Sequence, residues 1–343
     1  MGATSTAVPE FSDLAEHRVL LAIGLILLIT LANLRGIKES GTLFTAPTYL
    51  YIVMISSLVL YGLYREFIGG GMGTVPLPDH TEFAISGGTL SLFLILKGFS
   101  SGAVALTGVE AISNGVPAFR RPESRNAATT LVIMAGILGT LFFGLSLLAS
   151  HVHPYPSEDQ TVIAQMGLLV FGSGATFFVL QIATALILTL AANTAYADFP
   201  RISSIIAKDG YLPRQFANRG DRLVFSNGVL FLAVAAIALI VAFGGVTNAL
   251  IPLYAVGVFT SFTLSQTGMV RHHLADRQPG WRKSAVINGI GAFATLVVLL
   301  IVAVTKFSSG AWLPIVVIPA IILLFKGIKS HYQSVEETLH VEP

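Results

Sequence analysis

The 343-residue sequence contains no cysteine and few charged residues. Without cysteine the chain has no disulfide bond, no thiolate metal site and no cysteine nucleophile. Asp, Glu, Lys and Arg make up 11% of the residues, against roughly a quarter in an ordinary soluble domain. The HExxH zinc motif and the GxxxxGKS/T phosphate loop are also absent. We therefore expect neither an enzyme nor a bound cofactor.

Apolar residues dominate what is present. They account for 54% of the chain, and the mean hydropathy is +0.77. Long apolar stretches with little charge are typical of helices that cross a bilayer, where only a helix or a closed barrel can satisfy its own backbone. The composition predicts an all-α integral membrane protein. The net charge of +2 is too small to indicate a nucleic-acid partner.

Stretches of about 20 mostly apolar residues, enough to cross roughly 30 Å of hydrocarbon, occur about nine times in the chain. We predict a polar leader over 1–18, a single transmembrane domain over 19–328 and a tail over 329–343. The predicted spans are approximately 19–34, 45–64, 88–118, 129–150, 166–197, 224–244, 247–270, 285–305 and 309–326.

Basic residues are distributed unevenly between the loops. All 20 Lys and Arg residues fall in alternate loops or in the tail, except Arg18, Arg65, Lys97 and Lys306. Since Lys and Arg are retained on the cytoplasmic side, the basic loops and the C-terminus should be cytoplasmic. The distribution predicts a multi-pass protein of the cell membrane.

The predicted span over 88–118 lies in an apolar stretch, 83–119, that is too long to cross the membrane once as a straight helix. At 1.5 Å per residue it would measure about 55 Å. Gly102 and Gly108 lie within it, and glycine weakens a helix. Transporters use broken helices to place backbone groups at mid-membrane, where substrates and ions bind. We therefore predict a helix break at the TGVE segment, 107–110.

Glu110 is the one acidic residue among the 18 that falls well inside a predicted span. An ionisable group at this depth is costly unless it is paired, protonated or hydrated. The position indicates a functional residue and makes Glu110 a candidate for proton coupling. The alternative is a glutamate that hydrogen-bonds to nearby backbone for structural reasons.

Five segments carry a family resemblance, among them TGVEAISNGVPAFRRPESRN (107–126), NLRGIKESGTLFTAPTYLY (33–51) and IPLYAVGVFTSFTLSQTGMV (251–270). With them the chain resembles permeases of the amino acid–polyamine–organocation superfamily over about residues 19 to 330. Within that superfamily it looks most like the KimA/Kup-type potassium–proton symporters.

The resemblance implies a LeuT-like fold of five-plus-five inverted repeats with two further helices. The nine spans would match helices 4 to 12, with the broken helix as the sixth. Helices one to three, which supply part of the ion site, would be missing from this chain. The partners implied are potassium, protons, the lipid bilayer, a missing three-helix segment and a second copy in a homodimer.

The resemblance also assigns roles to individual residues. It implies that Thr107, Gly108, Glu110 and Tyr254 bind substrate or ion, with Thr107 and Tyr254 as potassium ligands. Arg120 and Glu123 follow as candidates for an inner gate.

The residues themselves leave alternatives to the ligand roles open. Thr107 has the alternative of bonding back to its own helix, and Tyr254 that of an interfacial anchor. The polar run from Thr260 to Thr267 is as well explained by helix packing.

Three functions are compatible with the sequence. The first is proton-coupled potassium uptake by alternating access. The second is a permease for an amino acid or other small organic cation, which would need a wider cavity. The third is a non-transporting fragment or subunit.

Overall fold

A computed structural model of the chain describes residues 17–36, 41–76, 91–116, 119–155, 157, 160–218 and 225–339. Most of the predicted leader and the two ends of the predicted 88–118 span lie outside these residues. The described residues form helices and connecting turns, with no strand among them. The predicted all-α fold class is confirmed.

The α-helices of the described residues are labelled here in chain order. They are α1 (Arg18–Leu34), α2 (Gly41–Phe67), α3 (Leu92–Ala103), α4 (Val109–Gly115), α5 (Glu123–Val152), α6 (Val162–Phe171), α7 (Ala175–Lys208), α8 (Ser226–Ala242), α9 (Thr247–Asp276), α10 (Trp281–Thr305) and α11 (Trp312–Leu339). Short 3₁₀ turns occur at Val104–Leu106, Arg214–Phe216 and Phe307–Ser309.

Six of these helices, α2, α5, α7, α9, α10 and α11, are long and apolar enough to cross a membrane. The helices α1, α3, α6 and α8 are apolar but have 10 to 17 residues. At most 28% of the residues in the apolar stretch of any long helix are buried inside the structure. Apolar side chains that point outward over whole helices indicate lipid as the surrounding solvent. The protein is therefore a multi-pass membrane protein.

The stretch 166–197, expected from its apolar run as one span, belongs to two helices. The α6 helix ends at Phe171, and Gly172 follows with φ +70°, a conformation that L side chains rarely adopt. A new helix, α7, begins at Ala175. Arg65 donates to the carbonyls of Leu169 and Val170 at 3.1 and 2.7 Å, and so satisfies carbonyls that the end of α6 leaves free.

One compact unit comprises Met1–Phe83, Ala111–Asp209 and Pro213–Gly245. Its largest buried cluster joins α2, α5, α6 and α7 and includes Leu58, Leu148 and Leu180, each with 0% exposure. In lipid such contacts stabilise by close packing, because the surrounding tails are as apolar as the side chains.

Helices α1 and α7 of the same unit are joined by polar contacts. The hydroxyls of Thr30 and Tyr196 lie 3.0 Å apart, and Asn33 donates to Asn193 at 2.7 Å. Interhelical hydrogen bonds of this kind fix the register between helices in a membrane.

The second compact unit comprises Ala84–Glu110, Gly210–Leu212 and Val246–Pro343. Its helices α9 and α10 pack closely along their length, and an added Cβ on Gly291 would approach Gln266 to within 3.3 Å. A hydrogen bond of 3.1 Å from Thr263 to Thr295 also joins these helices. This unit contains the break in the helix, at 107–110, and the residues expected to bind the ion.

Candidate functional site

The predicted helix break is present at the TGVE segment. The α3 helix ends at Ala103, and Val104–Leu106 continues as a tighter 3₁₀ turn. Thr107 is then extended, at φ −75° and ψ 158°, and Gly108 adopts φ +96°. No heavy atom lies within 4 Å of an ideal Cβ on Gly108, so its backbone conformation is the reason for glycine here, not lack of space. The backbone then re-enters a helix at Val109.

Thr107 makes the local contact that a structural role would predict. Its hydroxyl donates to the carbonyl of Val104 at 2.6 Å. A hydroxyl that donates its hydrogen keeps oxygen lone pairs free to accept or to coordinate a cation. The contact therefore fixes the rotamer of Thr107 and remains compatible with a ligand role.

Glu110 accepts hydrogen bonds at both carboxylate oxygens. Oε2 accepts from the backbone N–H of Gly108 at 2.6 Å, a local contact across the break. Oε1 accepts from the phenol of Tyr254 at 3.0 Å, a contact between residues 144 positions apart in sequence. The structural alternative for Glu110 explains the first bond. The second bond brings a residue of α9 to the break.

Tyr254 reaches the break from the second turn of α9, just after Pro252. Its neighbours Ala255 and Val256 are buried in a cluster with Val302 of α10, which holds this part of α9 in place. The side chain of Tyr254, which is 47% exposed, also interacts with that of Thr107. Thr107, Glu110 and Tyr254 thus form one cluster beside Gly108, as the three side chains would if they shared a site.

The polar side-chain atoms of this cluster are all oxygens. Its side chains offer one hydroxyl, one phenol and one carboxylate, and no described cationic side chain forms an ion pair with Glu110. Oxygen ligands from hydroxyl, carbonyl and carboxylate groups replace the hydration shell of hard cations such as potassium. Among the described residues no group of three or more His, Asp or Glu side chains could hold a metal ion.

The gate candidates lie in the first unit, where α5 begins at Glu123. Glu123 pairs with Arg121, whose Nε lies 3.4 Å from Oε1, and not with Arg120. The Arg121 side chain is 92% exposed, and an exposed pair of this kind contributes little to stability. Arg120 contacts the start of α5 through its backbone carbonyl, which accepts a hydrogen bond from the side chain of Asn126 at 2.8 Å.

The polar run on α9 is largely self-contained. Thr260, Thr263 and Thr267 each donate to the carbonyl four residues earlier at 2.7 Å. These three bonds stay within α9. The bond from Thr263 to Thr295 of α10 is the contact between helices that the packing interpretation expects.

Sequence reasoning missed one contact of α11. Lys329 donates to the hydroxyl of Tyr211 at 2.9 Å and lies 4.0 Å from the ring centroid. A basic residue on an apolar helix and a tyrosine in a distant turn give no sequence signal that they meet.

Two comparisons relate the chain to known proteins. Residues 2–325 match a family model described as amino acid permease. The chain is also 44% identical, over 339 residues, to a protein of Bacillus subtilis (strain 168) called potassium transporter KimA. That alignment covers 98% of this chain and 55% of the relative, so the chain spans little more than half of that relative's length.

These matches confirm the resemblance found in the sequence motifs. Members of a permease family move solutes and do not catalyse a reaction, so the protein is not an enzyme. With a family model that covers nearly the whole chain, the protein belongs to the amino acid permease family of the amino acid–polyamine–organocation superfamily.

Proposed function

We propose that this chain forms part of a secondary active transporter that takes up potassium with protons by alternating access. The observation that carries the proposal is the oxygen cluster of Thr107, Glu110 and Tyr254 at a break in an apolar helix. The similarity to a protein named as a potassium transporter supports the choice of ion.

In this proposal Thr107 and Tyr254 supply neutral oxygens to the potassium ion. The hydroxyl of Thr107 already points its hydrogen at the Val104 carbonyl, which leaves the oxygen lone pairs for the ion. The extended backbone at Thr107 and the positive φ of Gly108 also leave carbonyls outside the regular helix pattern, where they can join the ligand shell.

Glu110 would couple the ion to the proton. Its ionised carboxylate accepts from Tyr254 and from the Gly108 N–H. A protonated carboxyl has one fewer acceptor oxygen and one new donor, so the phenol must turn away or become the acceptor. Protonation of Glu110 would thereby change how Tyr254 presents its oxygen to potassium.

We also propose that the basic loops and the C-terminus face the cytoplasm of a cell membrane, on the asymmetry of Lys and Arg. On that orientation Arg120, Arg121 and Glu123 lie at the inner side and serve the gate there. A homodimer remains a proposal from the family resemblance, and light scattering of the purified protein would test it.

Two other functions are each favoured by one observation. An amino-acid substrate is favoured by the description of the family model, and it would use the free backbone groups of the break to hold a carboxylate. A chain that does not transport by itself, as a fragment or subunit, is favoured by the match to 55% of the relative. The three-helix segment inferred from the resemblance would then complete the ion site.

Growth of a potassium-uptake-deficient bacterium at low external potassium tests the proposal. The chain would be expressed alone and, in parallel, joined to an upstream three-helix segment. Rescue in either arm supports potassium transport, and rescue only in the joined arm shows that further helices are needed. If neither arm rescues growth while both proteins reach the membrane, potassium uptake is wrong and amino-acid uptake is measured instead.

A further inference from the structure

Two lysines lie together where α3 packs against the end of α10. Lys97 is in the second turn of α3, and Lys306 directly follows the last residue of α10. Their positions are set by a buried hydrogen bond of 3.1 Å between the hydroxyls of Ser100 and Thr305. Ser100 in turn donates to the carbonyl of Lys97 at 2.8 Å. The packing of two helices, not a flexible loop, therefore places Lys97 near Lys306.

The two positive charges are not balanced by the described part of the protein. Neither lysine forms an ion pair with a described carboxylate. Partial burial and the charge of Lys97 hold the pKa of Lys306 below its ordinary value. Retention of basic residues in the cytoplasm does not account for the pair, because Lys97 and Lys306 are among the four basic residues outside the basic loops and tail. An arrangement that brings like charges together needs an anion to offset them.

The surroundings of the pair indicate where that anion comes from. Phe93, Phe307 and Trp312, neighbours of the two lysines in sequence, are about half exposed, at 52%, 55% and 47%. Large aromatic side chains at the ends of membrane spans lie at the level of the lipid headgroups. A lysine beside them extends its ammonium to the headgroup phosphates while its stem stays against apolar surface.

We infer that Lys97 and Lys306 together bind the phosphate of an anionic phospholipid at this end of α3 and α10. The lysines act as two point charges on one phosphate, and the exposed aromatic side chains contact its acyl chains. Free inorganic phosphate has the same headgroup chemistry but gains nothing from the aromatic surface. This inference does not rest on the transported substrate.

The test measures retained phosphatidylglycerol by native mass spectrometry of the purified protein in micelles, titrated with phosphatidylglycerol or phosphatidylcholine. At about one kcal/mol per lysine near an anionic headgroup, the double variant K97Q/K306Q should bind its tightest phosphatidylglycerol about 30-fold more weakly, and each single variant about fivefold. The variant K97R/K306R keeps both charges and should bind as the unchanged protein does. Circular dichroism checks that each variant is folded, and the single variants keep the test usable if the double variant does not fold.

A matched control removes two charges elsewhere. The variant R282Q/K283Q neutralises the start of α10, at its other end, and should leave the tightest phosphatidylglycerol in place. If both double variants lost the same affinity for phosphatidylglycerol, general charge attraction would explain the binding, and the proposed site would be wrong. Equal retention of phosphatidylcholine, or displacement of the lipid by inorganic phosphate, would overturn it as well.

Discussion

The phenol of Tyr254 donates a hydrogen bond of 3.0 Å to Oε1 of Glu110 and so connects α9 to the first turn of α4. The other oxygen of the same carboxylate accepts from the N–H of Gly108 at 2.6 Å. Because both oxygens are used as acceptors, a proton that binds the carboxylate must disturb one of these bonds. Protonation or substitution of Glu110 should therefore change the hydrogen bonding of the Tyr254 hydroxyl.

We expect Glu110→Gln to remove the dependence of potassium uptake on external pH. Glutamine keeps the size of the side chain, but its amide neither takes up nor releases a proton. One end of the amide would also present N–H groups to a donor, Gly108 or Tyr254. Uptake of a rubidium tracer by cells over a series of external pH values measures this.

Glu66→Gln is the matched control for that variant. Glu66 also accepts from a backbone N–H, that of Met72 at 3.0 Å, but lies at the end of α2 in the other unit. It should keep the full pH response. A Glu110→Gln protein that responds to pH as the control does would remove Glu110 from the coupling.

Tyr254→Phe should lower potassium affinity by about tenfold, the usual effect of removing one hydrogen-bonding hydroxyl and leaving its partner unsatisfied. Phenylalanine keeps the ring but leaves Oε1 of Glu110 without its donor. Tracer uptake as a function of potassium concentration gives the apparent affinity. Tyr64→Phe, which alters an exposed tyrosine stacked on Tyr61, serves as control. Equal affinities in the two variants would exclude Tyr254 from the ion site.

Thr107→Val should also weaken potassium binding by about tenfold, because valine keeps the shape and removes one ligand oxygen. Thr260→Val is its control, since Thr260 makes the same kind of bond to a carbonyl of its own helix, at 2.7 Å. Both changes cost one local hydrogen bond. Only a ligand role for Thr107 makes their effects on affinity differ.

Gly108→Ala should destabilise the break by about 1 kcal/mol or more, since alanine is strained at positive φ. No atom blocks the added methyl group, so the cost arises from the backbone alone. We expect normal insertion but reduced uptake and a lower melting temperature in detergent. Gly98→Ala is the control, because Gly98 is inside α3 and also has open space around it. Unchanged uptake in Gly108→Ala would show that transport does not need this backbone conformation.

Much of the fold followed from the sequence. Apolar run lengths predicted the membrane helices, and glycines around a lone acidic residue predicted the break near Glu110. Both predictions depend on local properties of the chain. The ends of the helices were less predictable, as at Gly172, where one apolar run contains two helices because a glycine at positive φ interrupts it.

Contacts between distant residues were beyond sequence reasoning. The motif resemblance named Tyr254 and Glu110 as site residues, but their hydrogen bond depends on how α9 packs against α10. The sequence FRRPE also offered Glu123 two neighbouring arginines without distinguishing them, and in the structure Glu123 pairs with Arg121. The charge pattern set Lys97 and Lys306 apart from the other basic residues but did not predict that they meet, because only helix packing brings them together.

Proton movement that accompanies potassium uptake tests the central claim most directly. The purified protein would be reconstituted into liposomes with a pH-sensitive dye inside, and an inward potassium gradient would be imposed. The account predicts acidification of the lumen that requires potassium outside and is lost in Glu110→Gln. Potassium entry without proton entry, or proton entry that is unchanged in Glu110→Gln, would contradict it.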